Sequence, residues 1–249
     1  MLKDPGLPGR IVPVNLTSDP ETGVGKATDG ELIRAIREGI GRDGRVLFPM
    51  MPYTEYSHLS DDDVQSLIAF IRTLPPVRNA LPKTEVSFPV NLLIKSTPQP
   101  VGTVAGPDKS DKIAYGKYVT RINGCYFCHT PQKNNAPDTT REFAGGHEFL
   151  LTNDIKVYSM NLTPHRQTGT GEWTEKVFLE KFTQYQEYAE KGPPKIDLRD
   201  NTVMPWLGLT KLTGEDLSAI YAYLRTVTPI ENAVETKPSA SPEARQKKK

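Results

Sequence analysis

Apolar residues recur with a helical period at two distant places in the chain. Val64, Leu67, Ile68, Ile71 and Leu74 form one stripe at i, i+3, i+4, i+7 and i+10, and Leu217, Ile220, Tyr221, Leu224 and Val227 repeat the spacing. That period puts the apolar side chains on one face of a helix. Ser60 and Thr213 stand where an N-cap is wanted, and the acids that follow (Asp61, Asp62 and Asp63; Glu215 and Asp216) suit the positive end of a helix dipole. Pro75 and Pro229 stop both patterns. A third helix is predicted from Ile113, Tyr115, Gly116, Tyr118, Val119 and Ile122, running into Cys125, with others over 29–37 and 175–189. Strand patterns have little support, so the fold class is all-α with long loops.

The matching stripes belong to a longer duplication. Asn15-Leu16-Thr17 and Asn161-Leu162-Thr163 lie 146 residues apart, and each is followed by T-G-x-G, at Thr22, Gly23 and Gly25 and at Thr168, Gly169 and Gly171. Met51-Pro52-Tyr53 matches Met204-Pro205-Trp206 at an offset of 153, which then holds to Asn79-Ala80 and Asn232-Ala233. One length difference before the methionines accounts for the change, and the pattern is that of two duplicated domains. Asn15 and Asn161 each begin an N-x-T sequon. Their equivalent loop positions favour a turn-stabilising role over glycosylation.

At 249 residues, the chain suits one large or two small domains. A net charge of +1 implies neither nucleic acid nor an acidic membrane surface as partner. No apolar run reaches the roughly 18 residues that a membrane span needs. The start, Met1-Leu2-Lys3-Asp4-Pro5-Gly6, has no apolar region of signal-peptide type. Residues 79–112, with five prolines between Pro82 and Pro107, read as an extended connector, whose segment from Phe88 to Ile94 is expected to pack across both domains. The tail from 234 to 249, ending in three lysines, reads as disordered.

The chemistry concentrates in Cys125-Tyr126-Phe127-Cys128-His129, which holds both cysteines of the chain. C-x-x-C-H is the attachment signature of haem c: each thiol adds to one vinyl group, and the adjacent imidazole faces the iron. A structural zinc site wants four ligands, and no further cysteine exists. A thioredoxin-like pair wants a βαβ setting, and a disulfide leaves His129 without a role. The iron then needs a sixth ligand or an open position. Met204, in an irregular stretch just before the last helix, is the leading candidate, since methionine serves electron carriers and raises their potential. Met160 reads as core packing, His147 as a loop residue near the porphyrin edge, and His165 as solvated.

In this order (helix, C-Y-F-C-H, long loop, M-P-W, closing helix) the chain resembles class I cytochrome c. It is more closely similar to bacterial two-haem cytochromes and to cytochrome subunits of membrane-associated alcohol and gluconate dehydrogenases. The residues that carry the resemblance are Cys128 to Pro131, Ala144-Gly145-Gly146, Asn161 to Pro164, Thr168 to Trp173 and Met204-Pro205-Trp206. It implies tandem class I domains: an incomplete one over 1–78 without its C-x-x-C-H, and a haem-binding one over 113–233. It implies Cys125 and Cys128 as thioether sites, with His129 proximal and Met204 distal. Met51, rather than Met50, would be the distal ligand of a first haem. The family's function is periplasmic or otherwise extracytoplasmic electron transfer, with redox proteins or a dehydrogenase subunit as partners and no substrate chemistry; a peroxidase-like haem enzyme is the alternative. The family's usual proline before the loop Asn-Leu is replaced by Met160 and Val14, which leaves the hydrogen-bond acceptor of His129 unassigned. Cys125 stands 36 residues before Asn161, so the same register puts a first C-x-x-C-H about 20 residues ahead of Met1. The chain is therefore read as a shortened two-haem protein that keeps one haem c, the first motif and the export signal having been lost together.

Overall fold

The computed structural model describes residues 7–133, 136–152, 155–192, 202–236 and 239–240; the side chains of 151, 152, 239 and 240 are not described. Two compact units divide at Gly106 and Pro107. Helices dominate both, as the apolar periodicity predicts. Among the described residues, no helix is long and apolar enough to cross a membrane.

The first unit contains β1 (Gly9–Arg10), α1 (Asp29–Glu38), α2 (Tyr53–Tyr56), α3 (Asp61–Thr73), β2 (Glu85–Val86) and α4 (Val90–Leu93). Thr28 caps α1 through a reciprocal capping box with Glu31, and Ser60 caps α3 by accepting the amide of Asp63. Val64, Ile68 and Ile71 point inward from α3 to meet Leu32, Ile36 and Tyr53 in the buried core. Residues 79–112, read as an extended connector, fall within this unit as far as Gly106. β2 pairs antiparallel with β1. The cause further along is Arg37, only 4% exposed, whose buried guanidinium needs partners. It finds Asp61 at 2.7 Å and the Gly102 carbonyl at 3.1 Å, while Val104 and Asp61 exchange backbone and side-chain hydrogen bonds. Phe88, Leu92 and Leu93 remain exposed.

The second unit contains α5 (Lys112–Ile122), α6 (Cys125–His129), β3 (Gln132–Lys133), β4 (Ala136–Pro137), β5 (Glu148–Thr152), β6 (Ile155–Tyr158), α7 (Glu175–Thr183), α8 (Gln186–Lys191), α9 (Trp206–Leu209), α10 (Gly214–Leu224) and β7 (Ser239–Ala240). α5 crosses α10 closely, because Gly116 sits where any β-carbon would lie 1.9 Å from the Ala219 carbonyl oxygen. Val119, Leu217, Ile220 and Leu224 fill that crossing and share one core with Cys125, Phe143, Leu162 and Phe178. Three expectations need correction. The helix over 175–189 breaks at Gln184 and Tyr185 into α7 and α8. The loop after the cysteine motif carries the hairpin β5–β6, which a short, partly polar run did not announce. Within the tail, Ser239 and Ala240 pair with β6, whereas residues 241–249 lie outside the described ones.

The loops that open with Asn15 and Asn161 are wired alike. Asn161 donates to Thr168 Oγ1 and the Ile230 carbonyl, and its Oδ1 accepts the amide and hydroxyl of Thr163. Asn15 does the same with Thr22, Val77 and Thr17. Both asparagines act as turn stabilisers, as their duplicated position predicts.

Candidate functional site

α5 ends where Gly124, at φ +74°, reverses the chain, and the next turn is α6, which presents both cysteines and the histidine. Cys125 is buried and Cys128 half-buried, and neither is in a disulfide. Burial, reinforced by the neighbouring Cys128, pushes the Cys125 thiol up to about 12. A thiol so far from ionising lacks the lowered pKa of a redox-active C-x-x-C pair.

His129 is 7% exposed, and its Nδ1 lies 2.9 Å from the backbone carbonyl of Met160. A carbonyl only accepts, so Nδ1 carries the proton and Nε2 presents a lone pair. Burial lowers the imidazole pKa, and the Met160 hydrogen bond opposes that shift in part. The ring is therefore neutral at neutral pH, which is the state a metal ligand requires. This supplies the acceptor that the sequence left unassigned.

The hairpin is what brings Met160 to His129. Ser159 exchanges hydrogen bonds with Gly146 and His147 at the root of β5–β6, which lays residue 160 beside Gly145. Gly145 in turn donates its amide to the His129 carbonyl at 2.7 Å. Its φ is +71°, and a β-carbon there would come within 2.4 Å of the Met160 carbonyl carbon. Only glycine fits this approach. The Asn232 side chain closes the cradle by donating to Ala144 O at 2.8 Å.

Met204 is half-buried on the irregular stretch before α9 and packs against the core cluster that contains Cys125. Thr202 Oγ1 accepts its amide, and its carbonyl accepts the amide of Trp206. The Trp206 ring stacks on Tyr185 at 4.4 Å and meets Phe182 edge-on. Its buried indole N–H has no acceptor among the described residues. The Met160 side chain packs against the same cluster, as expected, so that residue acts through its carbonyl. Met51 lies in the first unit, half-buried, with its carbonyl accepting the Tyr53 amide just as Met204 serves Trp206; Met50 is exposed.

The other histidines take local roles. His147 stacks on Phe149 at 4.5 Å and lies 5.7 Å from Phe127, between the two cysteines. Contrary to expectation, His165 is not simply solvated: its Nδ1 accepts the amide of Thr168 at 3.2 Å and lies 2.8 Å from that hydroxyl. It closes the turn as Asp19 does with Thr22 in the first unit.

Among the described residues, no three His, Cys, Asp or Glu side chains converge to hold a bare metal ion. A porphyrin held by two thioethers and one imidazole fits the donor set, and the indole N–H of Trp206 is a ready donor to a carboxylate of such a group.

Residues 113–228 match the cytochrome c family. The cytochrome c subunit of the quinone alcohol dehydrogenase of Gluconacetobacter polyoxogenes is 30% identical over 239 residues, covering 89% of this chain and 49% of that protein. The fructose dehydrogenase cytochrome subunit of Gluconobacter japonicus is 31% identical over 231 residues, with coverages of 88% and 45%. A diheme c-type cytochrome of Cereibacter sphaeroides is 30% identical over 230 residues, covering 90% of this chain and 73% of its own. The chain thus spans about half the length of the dehydrogenase subunits it matches.

Proposed function

The chain belongs to the cytochrome c family, and from that premise we propose that it carries electrons through one covalent haem c attached at Cys125 and Cys128 and ligated by His129 and Met204. Haem c is the cofactor of this family, and when bound it supplies a one-electron iron couple. The chain's own residues prepare the site. α6 offers the two thiols at the C-x-x-C spacing, and Met160 accepts the Nδ1 proton of His129, which leaves the lone pair on Nε2. The apolar lining, with Tyr126, Phe143 and Leu162 buried, excludes water and favours the less charged, reduced iron. A Met204 thioether on the far face would close the coordination sphere and raise the potential further.

The observation that carries this reading is the His129–Met160 hydrogen bond, which gives a buried neutral imidazole its tautomer. A six-coordinate iron leaves no position for substrate, so the protein acts as a carrier rather than as an enzyme. Dehydrogenase cytochrome subunits among the relatives support a dehydrogenase or another redox protein as partner. Thioether attachment normally takes place outside the cytoplasm, which supports a periplasmic or otherwise extracytoplasmic location.

The test is to express the chain behind an export signal in a haem-attaching host. The mass should rise by one haem, and potentiometric titration should follow a reversible one-electron curve. Two haems, none, or an irreversible couple would contradict the proposal.

A further inference from the structure

The break between α7 and α8 aims one aromatic ring at another. Tyr185, at φ −94° and ψ 0°, caps α8, and its ring stacks on Trp206 with centroids 4.4 Å apart and planes 15° from parallel. Phe182, buried near the end of α7, meets the same indole edge-on at 5.8 Å, and Tyr188 braces Tyr185 edge-on at 5.6 Å. The Trp206 amide donates to the Met204 carbonyl at 2.8 Å. Thr202, Val203, Pro205 and Leu207 are all exposed, so Met204 and Trp206 are the side chains through which this turn meets the core.

The first unit makes the equivalent contact with different residues, which is a second and independent observation. Gly39 stands 146 residues before Tyr185, the offset that relates Thr28 to Thr174, and Tyr53 stands 153 before Trp206. Gly39 ends α1 at φ +72°, and a β-carbon there would lie 2.6 Å from the Tyr53 ring. Tyr53 is 1% exposed, and its amide donates to the Met51 carbonyl at 2.7 Å. In both units the end of this helix rests on the ring two places after a methionine. Glycine brings the backbone itself against Tyr53, whereas Tyr185 reaches Trp206 with its side chain.

We infer that Tyr185 is a positioning residue for Met204. The stacked pair fixes Trp206, the Trp206 amide fixes the Met204 carbonyl, and the turn then offers its thioether in one orientation. Ordering the turn in advance lowers the entropy that ligation by Met204 would otherwise cost. A stacked ring acts through its face and needs no hydroxyl, so phenylalanine at 185 should serve as well as tyrosine, and leucine should not. The inference rests on the proposed ligation by Met204 and adds what keeps that ligand in place.

The experiment takes the matured, oxidised protein and titrates it with imidazole as a competing ligand, followed by loss of the sulfur–iron charge-transfer absorption. Tyr185→Leu should lower the half-saturating imidazole concentration about fivefold, the scale of one aromatic contact, and Tyr185→Phe should leave it unchanged. Leu224→Ala, in the α5–α10 crossing, should lower the denaturation midpoint without moving the imidazole half-point, which separates positioning from general stability. Hydrogen exchange at the Trp206 amide, read on the same proteins, should quicken about fivefold in Tyr185→Leu and not in Tyr185→Phe. An unmoved half-point in Tyr185→Leu, an equal shift in Leu224→Ala, or a failure of phenylalanine to replace tyrosine would overturn the inference. A wild-type chain without the charge-transfer absorption would refute ligation by Met204. The Trp206 amide would still decide the clamp on the turn, supporting it if exchange quickens in Tyr185→Leu and refuting it if exchange does not.

Discussion

The backbone carbonyl of Met160 accepts the Nδ1–H of His129 across 2.9 Å, although the two residues are 31 positions apart. The contact decides which imidazole nitrogen is free, and it exists because Gly145 lets the Met160 backbone pass within van der Waals range of the cysteine-motif loop. Fold and chemistry meet at that glycine.

Gly145→Ala should therefore damage both. The residue needs a positive φ and has no room for a β-carbon, so the second unit should lose about 1–3 kcal/mol of stability. In the folded fraction, a lengthened His129–Met160 bond makes the imidazole a weaker donor, so the midpoint potential should rise. Denaturant titration and potentiometry read the two effects, and an unchanged potential in a destabilised protein would separate them.

Met204→Ala and Met160→Ala should behave oppositely despite both removing a thioether. The first should abolish the sulfur–iron charge-transfer absorption and lower the midpoint potential, because thioether ligation favours reduced iron. The second should leave the absorption in place, since Met160 serves His129 through its carbonyl. An absorption band that survives the first change and disappears with the second would reverse the assignment.

Asn161→Ala should be more damaging than Asn15→Ala. Asn161 is 1% exposed, its partner Thr163 is fully buried and Ile230 half-buried, so truncation strands buried polar groups and should cost about 1–3 kcal/mol. Asn15 is only half-buried, and water can replace its side chain. Equal losses in paired denaturation curves would remove the argument.

What the sequence disclosed was whatever is local. C-x-x-C-H is legible because the thioether sites and the imidazole must lie within one helical turn. Ser60, Thr213 and the two stripes were equally plain, since caps and apolar faces are set by neighbours in sequence. The acceptor for His129 stayed hidden because a backbone carbonyl has no side-chain signature; the position just before Asn161-Leu162-Thr163 was its only sign. The allegiance of residues 79–106 was hidden for a related reason. It depends on Arg37 and Glu38 reaching backbone groups some 65 positions away, which no periodicity records.

In the haem-free chain, stability should fall on mild acidification. Burial lowers the His129 pKa, so the unfolded state binds a proton that the folded state resists. The contribution is complete above the ordinary imidazole value of about 6.5 and is lost as pH falls through the lower folded value. His147 shifts in the same direction for the same reason. Thermal melts at pH 7.5 and 5.5 should show the loss, and His129→Gln, which can keep an N–H to Met160, should reduce it. A drop of the same size in His129→Gln would assign it elsewhere.

The central claim is that this chain holds haem c as a closed, six-coordinate electron carrier, and carbon monoxide tests it most directly. Added at neutral pH to the reduced, matured protein, carbon monoxide should leave the absorption spectrum unchanged, because the proposed ligation by His129 and Met204 would fill both axial positions. Stoichiometric formation of a carbonyl complex would reveal an open iron and contradict the account.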